Sequence, residues 1–193
     1  MARWDPGTQK RLTEAALELY SELGYEQVTV TQIAERAGIT RRSYFRYFPD
    51  KREVLFAGSE RLPVALHQAV LGAADAGTPL STALAALAEA GVQLTAHIEH
   101  AAERRAVISA SAELQERERT KFAAVTAAIG DALRERGTEP RRARLAAQIA
   151  ALIFQNAFDQ WLDAGEQADF ATCLEAATAS FRETATGDTE NHA

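Results

Sequence analysis

Cysteine is all but missing from this chain. The one thiol, Cys173, excludes an internal disulfide, which suits a reducing cytoplasm, and a free buried thiol is its ordinary role. Only five prolines and eleven glycines interrupt 193 residues. Alongside 41 alanines, the best helix former and a poor strand former, that scarcity of breakers predicts an all-α protein and excludes a β-sandwich. Long apolar runs are absent. The longest uncharged stretch late in the chain, Leu145 to Phe158, has 14 residues, short of the ~20 that span a bilayer, so no membrane partner is expected. Arg3, Trp4 and Asp5 lead into a polar segment rather than an apolar one, so no signal peptide and a cytoplasmic location are expected. Patterns that carry catalysis are missing as well: neither a zinc-protease H-E-x-x-H, nor a nucleophile-elbow G-x-S-x-G, nor a phosphate loop occurs. His97 and His100 stand three apart with no Cys or third His nearby, so neither a metal, a cofactor nor an enzyme is expected. Lysine is scarce, 3 against 18 arginines, which with the alanine content suggests GC-rich coding and a bacterial source.

Apolar spacing divides what is present into helices. Leu12, Ala15, Ala16, Leu19 and Leu23 give Thr8–Leu23 one apolar face, and Gly24 stops it. Thr29 and Gln32 have capping-box spacing and open a helix over Val30–Ala37, which Gly38 ends. Thr40 caps a third helix over Arg41–Tyr47, and Phe48-Pro49-Asp50 breaks the chain. A fourth helix is predicted from Lys51 to about Leu71, capped by Asp50 and kinked at Pro63, where it could pivot. Further helices are predicted over Leu80–His100, Ala101–Ala112, Glu113–Arg136, Arg141–Ala164 and Ala168–Thr184. Residues 185–193 are expected to be a disordered tail.

Two short helices about a Gly turn, residues 30 to 47, form a helix-turn-helix pattern, whose second helix enters the major groove. Tyr44 and Phe48 can lock that helix inward, which leaves Arg41, Arg42, Phe45 and Arg46 on the other side. Arg41 and Arg42 stand at the end that meets base edges, where Arg suits bidentate contact with guanine. The net charge of −6 speaks against nucleic acid until it is divided. Residues 36–52 carry +5, residues 1–52 carry +2, and residues 53–193 carry −8. The basic excess thus sits where a helix-turn-helix faces phosphate. A helical enzyme or ligand-binding protein with an incidental basic face is the alternative from another class.

Three ordered segments, AALELYSELGY (Ala15–Tyr25), VTQIAERAGIT (Val30–Thr40) and SYFRYFPDK (Ser43–Lys51), resemble the DNA-binding domain of the tetracycline-repressor (TetR) family of transcriptional regulators. The resemblance covers the first quarter of the chain. It implies a three-helix DNA-binding domain over residues 1–52 and a helical domain of about six helices over residues 53–184 for effector binding and dimerisation. It implies that Arg41, Arg42 and Ser43 read bases. Thr31, Thr40, Phe45, Tyr47 and Lys51 fall at positions facing the sugar-phosphate backbone, and Arg46 is assigned there too. Both threonines can also act as caps. Phe45 stands where the family usually has Tyr, so a hydroxyl contact is lost there.

One helix-turn-helix contacts too little DNA for strong specificity, so a homodimer on a palindromic operator is expected. Its interface is expected on the last two helices, at Ala157, Phe158, Trp161, Phe170, Leu174, Ala177 and Phe181, as a four-helix bundle. The resemblance also implies a pocket for a small apolar or amphipathic effector, with Phe56, Leu66, His67, Leu87, Leu94, His97, Val107, Phe122, Val125 and Phe154 as candidates, although the same set describes an ordinary core. A repressor released by its effector is the expected function; an activator or an effector-independent repressor is the alternative.

Overall fold

Helix α1 spans Pro6–Leu23, α2 Val30–Arg36, α3 Arg41–Tyr44, α4 Leu62–Gly72, α5 Pro79–Thr95, α6 Ala101–Ser109, α7 Ala112–Glu135, α8 Pro140–Ala164 and α9 Phe170–Thr186. This computed structural model describes residues 6–74, 77–96, 98–165 and 168–186, and among them there is no strand, as the all-α reading requires. Among the described residues no helix is long and apolar enough to cross a membrane.

Local signals explain the helix ends. Thr29 Oγ1 accepts from Gln32 N at 3.3 Å, while Thr29 N donates to Gln32 Oε1 at 2.8 Å, so the expected capping box opens α2. Gly38 has φ 72°, a backbone open to glycine at little cost, which turns the chain between α2 and α3. Glu139 caps α8 by accepting from the amides of Arg141 and Arg142, each at 3.0 Å.

The fourth helix differs from expectation. Lys51–Arg61 forms two 3-10 turns, Glu53–Phe56 and Ser59–Arg61, and α4 begins only at Leu62. Pro63 therefore lies in the first turn of a helix, where a missing amide costs nothing, and it makes no kink within α4. Asp50 does act as a cap, but of a 3-10 turn: its Oδ1 accepts from Arg52 N at 2.9 Å and Glu53 N at 3.1 Å. The helix expected to reach His100 ends at Thr95, and His100 takes a left-handed φ of 55° before α6. Ala185 and Thr186, expected in a disordered tail, belong to α9; residues 187–193 lie outside the described residues.

Contacts between residues group the chain into two compact units. The first is Met1–Glu60 with His100–Lys121, and the second is Arg61–Glu99 with Phe122–Ala193. In the first, Leu12, Ala16 and Leu19 of α1 pack with Ile33, Tyr44, Phe48, Phe56, Val107 and Leu114. In the second, α8 is built for close approach: Ala143, Ala147, Ala150 and Ala157 are all fully buried. Gly91 of α5 lies against Phe170, where a Cβ would come within 2.0 Å of the ring. Arg136 closes the end of α4, donating from Nη1 to the carbonyls of Val70, Leu71 and Ala73 at 3.2, 2.9 and 2.8 Å.

Candidate nucleic-acid interface

Helix α3 is shorter than the spacing suggested. After Tyr44 the hydrogen bonds tighten to i→i−3, with Arg46 N donating to Ser43 O at 3.2 Å and Tyr47 N to Tyr44 O at 2.8 Å. Phe48 N then returns to Tyr44 O at 3.1 Å, and Pro49, which has no amide to donate, ends the coil. Tyr44, fully buried, anchors the segment, and its hydroxyl donates to Asp50 O at 2.9 Å. Burial raises the Tyr44 phenol above its usual range, so it remains a donor at neutral pH.

With Tyr44 and Phe48 turned inward, Arg41, Arg42, Phe45 and Arg46 are exposed. Among the described residues no carboxylate pairs with Arg41, Arg42 or Arg46. The Arg41 guanidinium lies 5.2 Å from the Phe45 ring centroid and that of Arg46 5.9 Å from Tyr47, which limits the arginines' freedom without using up their donors. Phe45 is 45% exposed, a costly place for a benzyl group in a free surface. Thr40 accepts from Ser43 N at 3.1 Å and donates to Ser43 Oγ at 3.0 Å, so the Ser43 hydroxyl keeps its own proton to donate. Thr31 is exposed in the first turn of α2, and Tyr47 is half-buried.

The other three cations of the basic window have different work. Arg36 pairs with Glu18 and Glu22, each at 3.1 Å, tying α2 to α1. Arg52 pairs with Asp50 at 3.3 Å. Lys51, expected on phosphate, donates instead to the carbonyls of Tyr25, Val28 and Glu26 at 2.8, 3.0 and 3.5 Å, and its ammonium sits 4.2 Å from the Tyr25 ring centroid. An ammonium has three protons, and here each has an internal acceptor. Lys51 is a bolt between the Asp50 corner and the end of the 3-10 turn Tyr25–Gln27. Nothing in local spacing marks this, because the partners lie more than 20 residues away.

The effector candidates fall in both compact units. Phe56 and Val107 are in the core of the first unit; Leu66, Leu87 and Val125 are buried in that of the second, with Phe154 packed against them. His67 is half-buried, its Nε2 3.0 Å from Glu135, and Phe122 and Leu94 are also half-buried. His97 lies outside the described residues. A half-open groove of about 880 Å³ between α7 and α8, with Ala127, Gly130, Arg141, Arg144 and Leu152 in its walls, is lined by none of the ten.

The dimer candidates divide too. Ala157, Phe170, Leu174 and Ala177 are buried within the chain, where α8 meets α9, and so are not open to a second copy. Phe158, Trp161 and Phe181 are half-buried at the edge of that cluster. The exposed apolar residues of α8 are Leu145 and Leu152, at 58% and 62%, seven apart on one face. An apolar stripe in sequence does not say which of its neighbours covers it.

The sequence model of the family described as "Bacterial regulatory proteins, tetR family" matches residues 12–57. The chain is similar to the HTH-type transcriptional regulator TcmR of Streptomyces glaucescens, 47% identical over 47 residues, which cover 24% of this chain and 21% of that protein. The matched stretches span between 21% and 37% of the length of such curated relatives, which are HTH-type transcriptional regulators and not enzymes. The fold is similar over far more of the chain. The structure of NalD, the secondary repressor of the MexAB-OprM multidrug efflux pump in Pseudomonas aeruginosa, aligns with a TM-score of 0.62 at 22% identity, covering 91% of this chain and 95% of that one. The SmeT–triclosan complex aligns with a TM-score of 0.61 at 21% identity over 90% of each chain; SmeT is the repressor of the Stenotrophomonas maltophilia efflux pump SmeDEF. Residues 12–57, which contain α2 and α3 and most of α1, thus match the DNA-binding domain of the tetR family of bacterial regulatory proteins, and the chain as a whole shares the all-helical fold of such regulators.

Proposed function

We propose that this chain is a sequence-specific DNA-binding transcriptional regulator of the bacterial cytoplasm, a homodimeric repressor that leaves its operator when a small apolar or amphipathic molecule binds. The observation that carries this reading is the outward face of α3, where Arg41, Arg42 and Arg46 stand exposed with no internal carboxylate among the described residues, in a chain that is acidic elsewhere. In the major groove, Arg41 and Arg42 reach guanine O6 and N7 from the start of the helix, and the Ser43 hydroxyl donates beside them. Arg46, Tyr47, Phe45, Thr31 and Thr40 face the sugar-phosphate and set the register. Lys51 holds the corner that presents them.

Two copies read a palindrome, with half-sites ~34–36 Å apart. The second copy covers the outward face of α8, where Leu145 and Leu152 are exposed, and the half-buried Phe158, Trp161 and Phe181 at the edge of the α8–α9 cluster remain candidates for the same interface. Residues 1–52 thus read DNA, and residues 53–184 pair the copies and receive the effector. The half-buried residues His67, Leu94, Phe122 and Phe154 of the second unit are the candidates that remain open to a ligand, and SmeT, similar in fold, is known with triclosan bound.

Binding to a duplex taken from upstream of the chain's own coding region, followed against salt, tests the reading. Six to ten phosphate contacts from a dimer lower affinity by ~10³–10⁵ between 50 and 200 mM salt, and a preferred sequence persists above that background. Absent binding, or binding blind to sequence, sinks the regulator.

A further inference from the structure

The segment of α3 sends one aromatic ring outward among its arginines. Phe45 is exposed, whereas Tyr44 and Phe48 are buried. A single exposed apolar residue is ordinary. What sets Phe45 apart is its place and the way its ring is held. It shares its face with Arg41, Arg42 and Arg46, all exposed. Its ring meets the buried Tyr44 ring nearly at right angles, with centroids 5.6 Å apart and planes at 81°. The Arg41 guanidinium lies over the Phe45 ring, 5.2 Å from its centroid. Phe45 N donates to Arg41 O at 3.4 Å, so the two side chains stand one turn apart on one side of the coil.

A duplex offers such a ring few partners. The phosphates present anionic oxygens. A benzyl group has no proton to donate to them, and its negative face is repelled by them. The base edges in the major groove present donors and acceptors, and one methyl group, on C5 of thymine. That methyl stands at the rim of the groove, beside the sugar-phosphate of its own strand. A ring that lines the backbone therefore touches it without reaching the middle of the groove.

We infer that Phe45 determines specificity for thymine, reading the C5-methyl of a thymine next to the guanine bound by Arg41. This rests on the regulator proposed above. A guanidinium paired with guanine O6 and N7 lies in the plane of that base pair, and bases follow one another at ~3.4 Å along a strand. A ring centred 5.2 Å from that guanidinium stands level with a neighbouring pair. Arg41 and Phe45 thus read two adjacent bases as one unit: the guanine fixes the arginine, the arginine and Tyr44 fix the ring, and the ring covers the methyl. Burying one methyl group raises affinity roughly fourfold per half-site, and roughly 15-fold over the two half-sites of a dimer.

The full chain selects duplexes from a randomised pool, and Arg41→Ala marks its guanine as the position where preference relaxes. Thymine is expected beside that guanine in each half. The selected duplex is then made with uracil at those thymines, which keeps every hydrogen-bonding group and removes only the methyl. Wild type should bind the uracil duplex roughly 4–15-fold more weakly, and Phe45→Ala should bind both duplexes alike. Phe45 is 45% exposed, so the variant should keep the wild-type thermal midpoint; if it fails to fold, the wild type on the two duplexes alone decides. A wild type indifferent to uracil overturns the inference, and so does a base other than thymine beside the guanine. Equal losses in wild type and Phe45→Ala overturn it too, because they trace the effect to the shape of the DNA. In each of these cases the selected sequence stands, and the regulator with it. If the wild type enriches no sequence, the regulator fails and takes this inference with it.

Discussion

Replacing Lys51 by Met separates two accounts of one residue. The substitution keeps the apolar stem and removes the ammonium. It deletes charge-assisted hydrogen bonds to Tyr25 O at 2.8 Å and Val28 O at 3.0 Å, a longer one to Glu26 O, and the contact with the Tyr25 ring at 4.2 Å. A hydrogen bond to a charged group contributes roughly 1.5–3 kcal/mol, and a cation–π contact at a half-exposed site ~0.5–1 kcal/mol. The terms share one ammonium and do not add in full, so a loss of about 2–3 kcal/mol is expected. For a chain of this size that lowers the thermal midpoint by roughly 5–10 °C. Thermal or urea unfolding followed by circular dichroism measures the stability. A parallel DNA titration gives the slope of log affinity against log salt, which should not change. A phosphate contact predicts the reverse: stability intact, and a salt slope smaller by about one per Lys51. That outcome would refute the bolt.

Three other substitutions probe the fold and the electrostatics. Gly91→Ala places a Cβ 2.0 Å from the Phe170 ring, itself 2% exposed, and should destabilise by at least ~1–3 kcal/mol in urea unfolding. Thr29→Ala removes one half of the capping box and should cost ~1 kcal/mol, read the same way, with α2 the first segment to lose amide protection in hydrogen exchange. In phosphate-free chloride buffer, the Lys121 amine sits at about 8 when folded and 10.5 when unfolded, so the unfolded chain binds its proton more tightly. Stability therefore rises with pH between those values, by on the order of 3 kcal/mol in all, and Lys121→Gln should flatten that rise. The comparison is cleanest between pH 8 and 10, below the range in which the buried phenols of Tyr20, Tyr25 and Tyr44 begin to oppose it.

The parts of this structure legible in the sequence are those whose causes are local. Thr29 and Gln32 are three residues apart and make their capping box wherever the helix forms; Gly38 turns the chain because of its own backbone; Tyr44 and Phe48 face inward because they share one side of one coil. Pro63 shows the limit of such reading. A proline is compatible with a kinked helix or with the start of one, and the deciding feature is the pair of 3-10 turns before it, closed by Asp50 and by Gly58 at φ 78°. Nonlocal partners leave no periodic trace. Lys51 finds carbonyls 23 and 26 residues back, and Glu53 finds Arg117 64 residues on. The same blindness scattered the effector candidates over two compact units and placed Phe170, Leu174 and Ala177 at a dimer face when they cover α8 of their own chain. Exposure, not periodicity, marks Leu145 and Leu152, which the apolar pattern does not single out.

Reading of bases by α3 is most directly tested by selecting preferred duplexes from a randomised DNA pool with wild type and with Arg41→Ala. Wild type should enrich a two-fold symmetric sequence with half-sites ~34–36 Å apart, and Arg41→Ala should relax the preference at a particular base pair in each half by roughly 1–3 kcal/mol while the salt slope changes little. Enrichment of no sequence by the wild type, or the same preferences in both proteins with affinity lost evenly across all sequences, would contradict the assignment of Arg41 to bases.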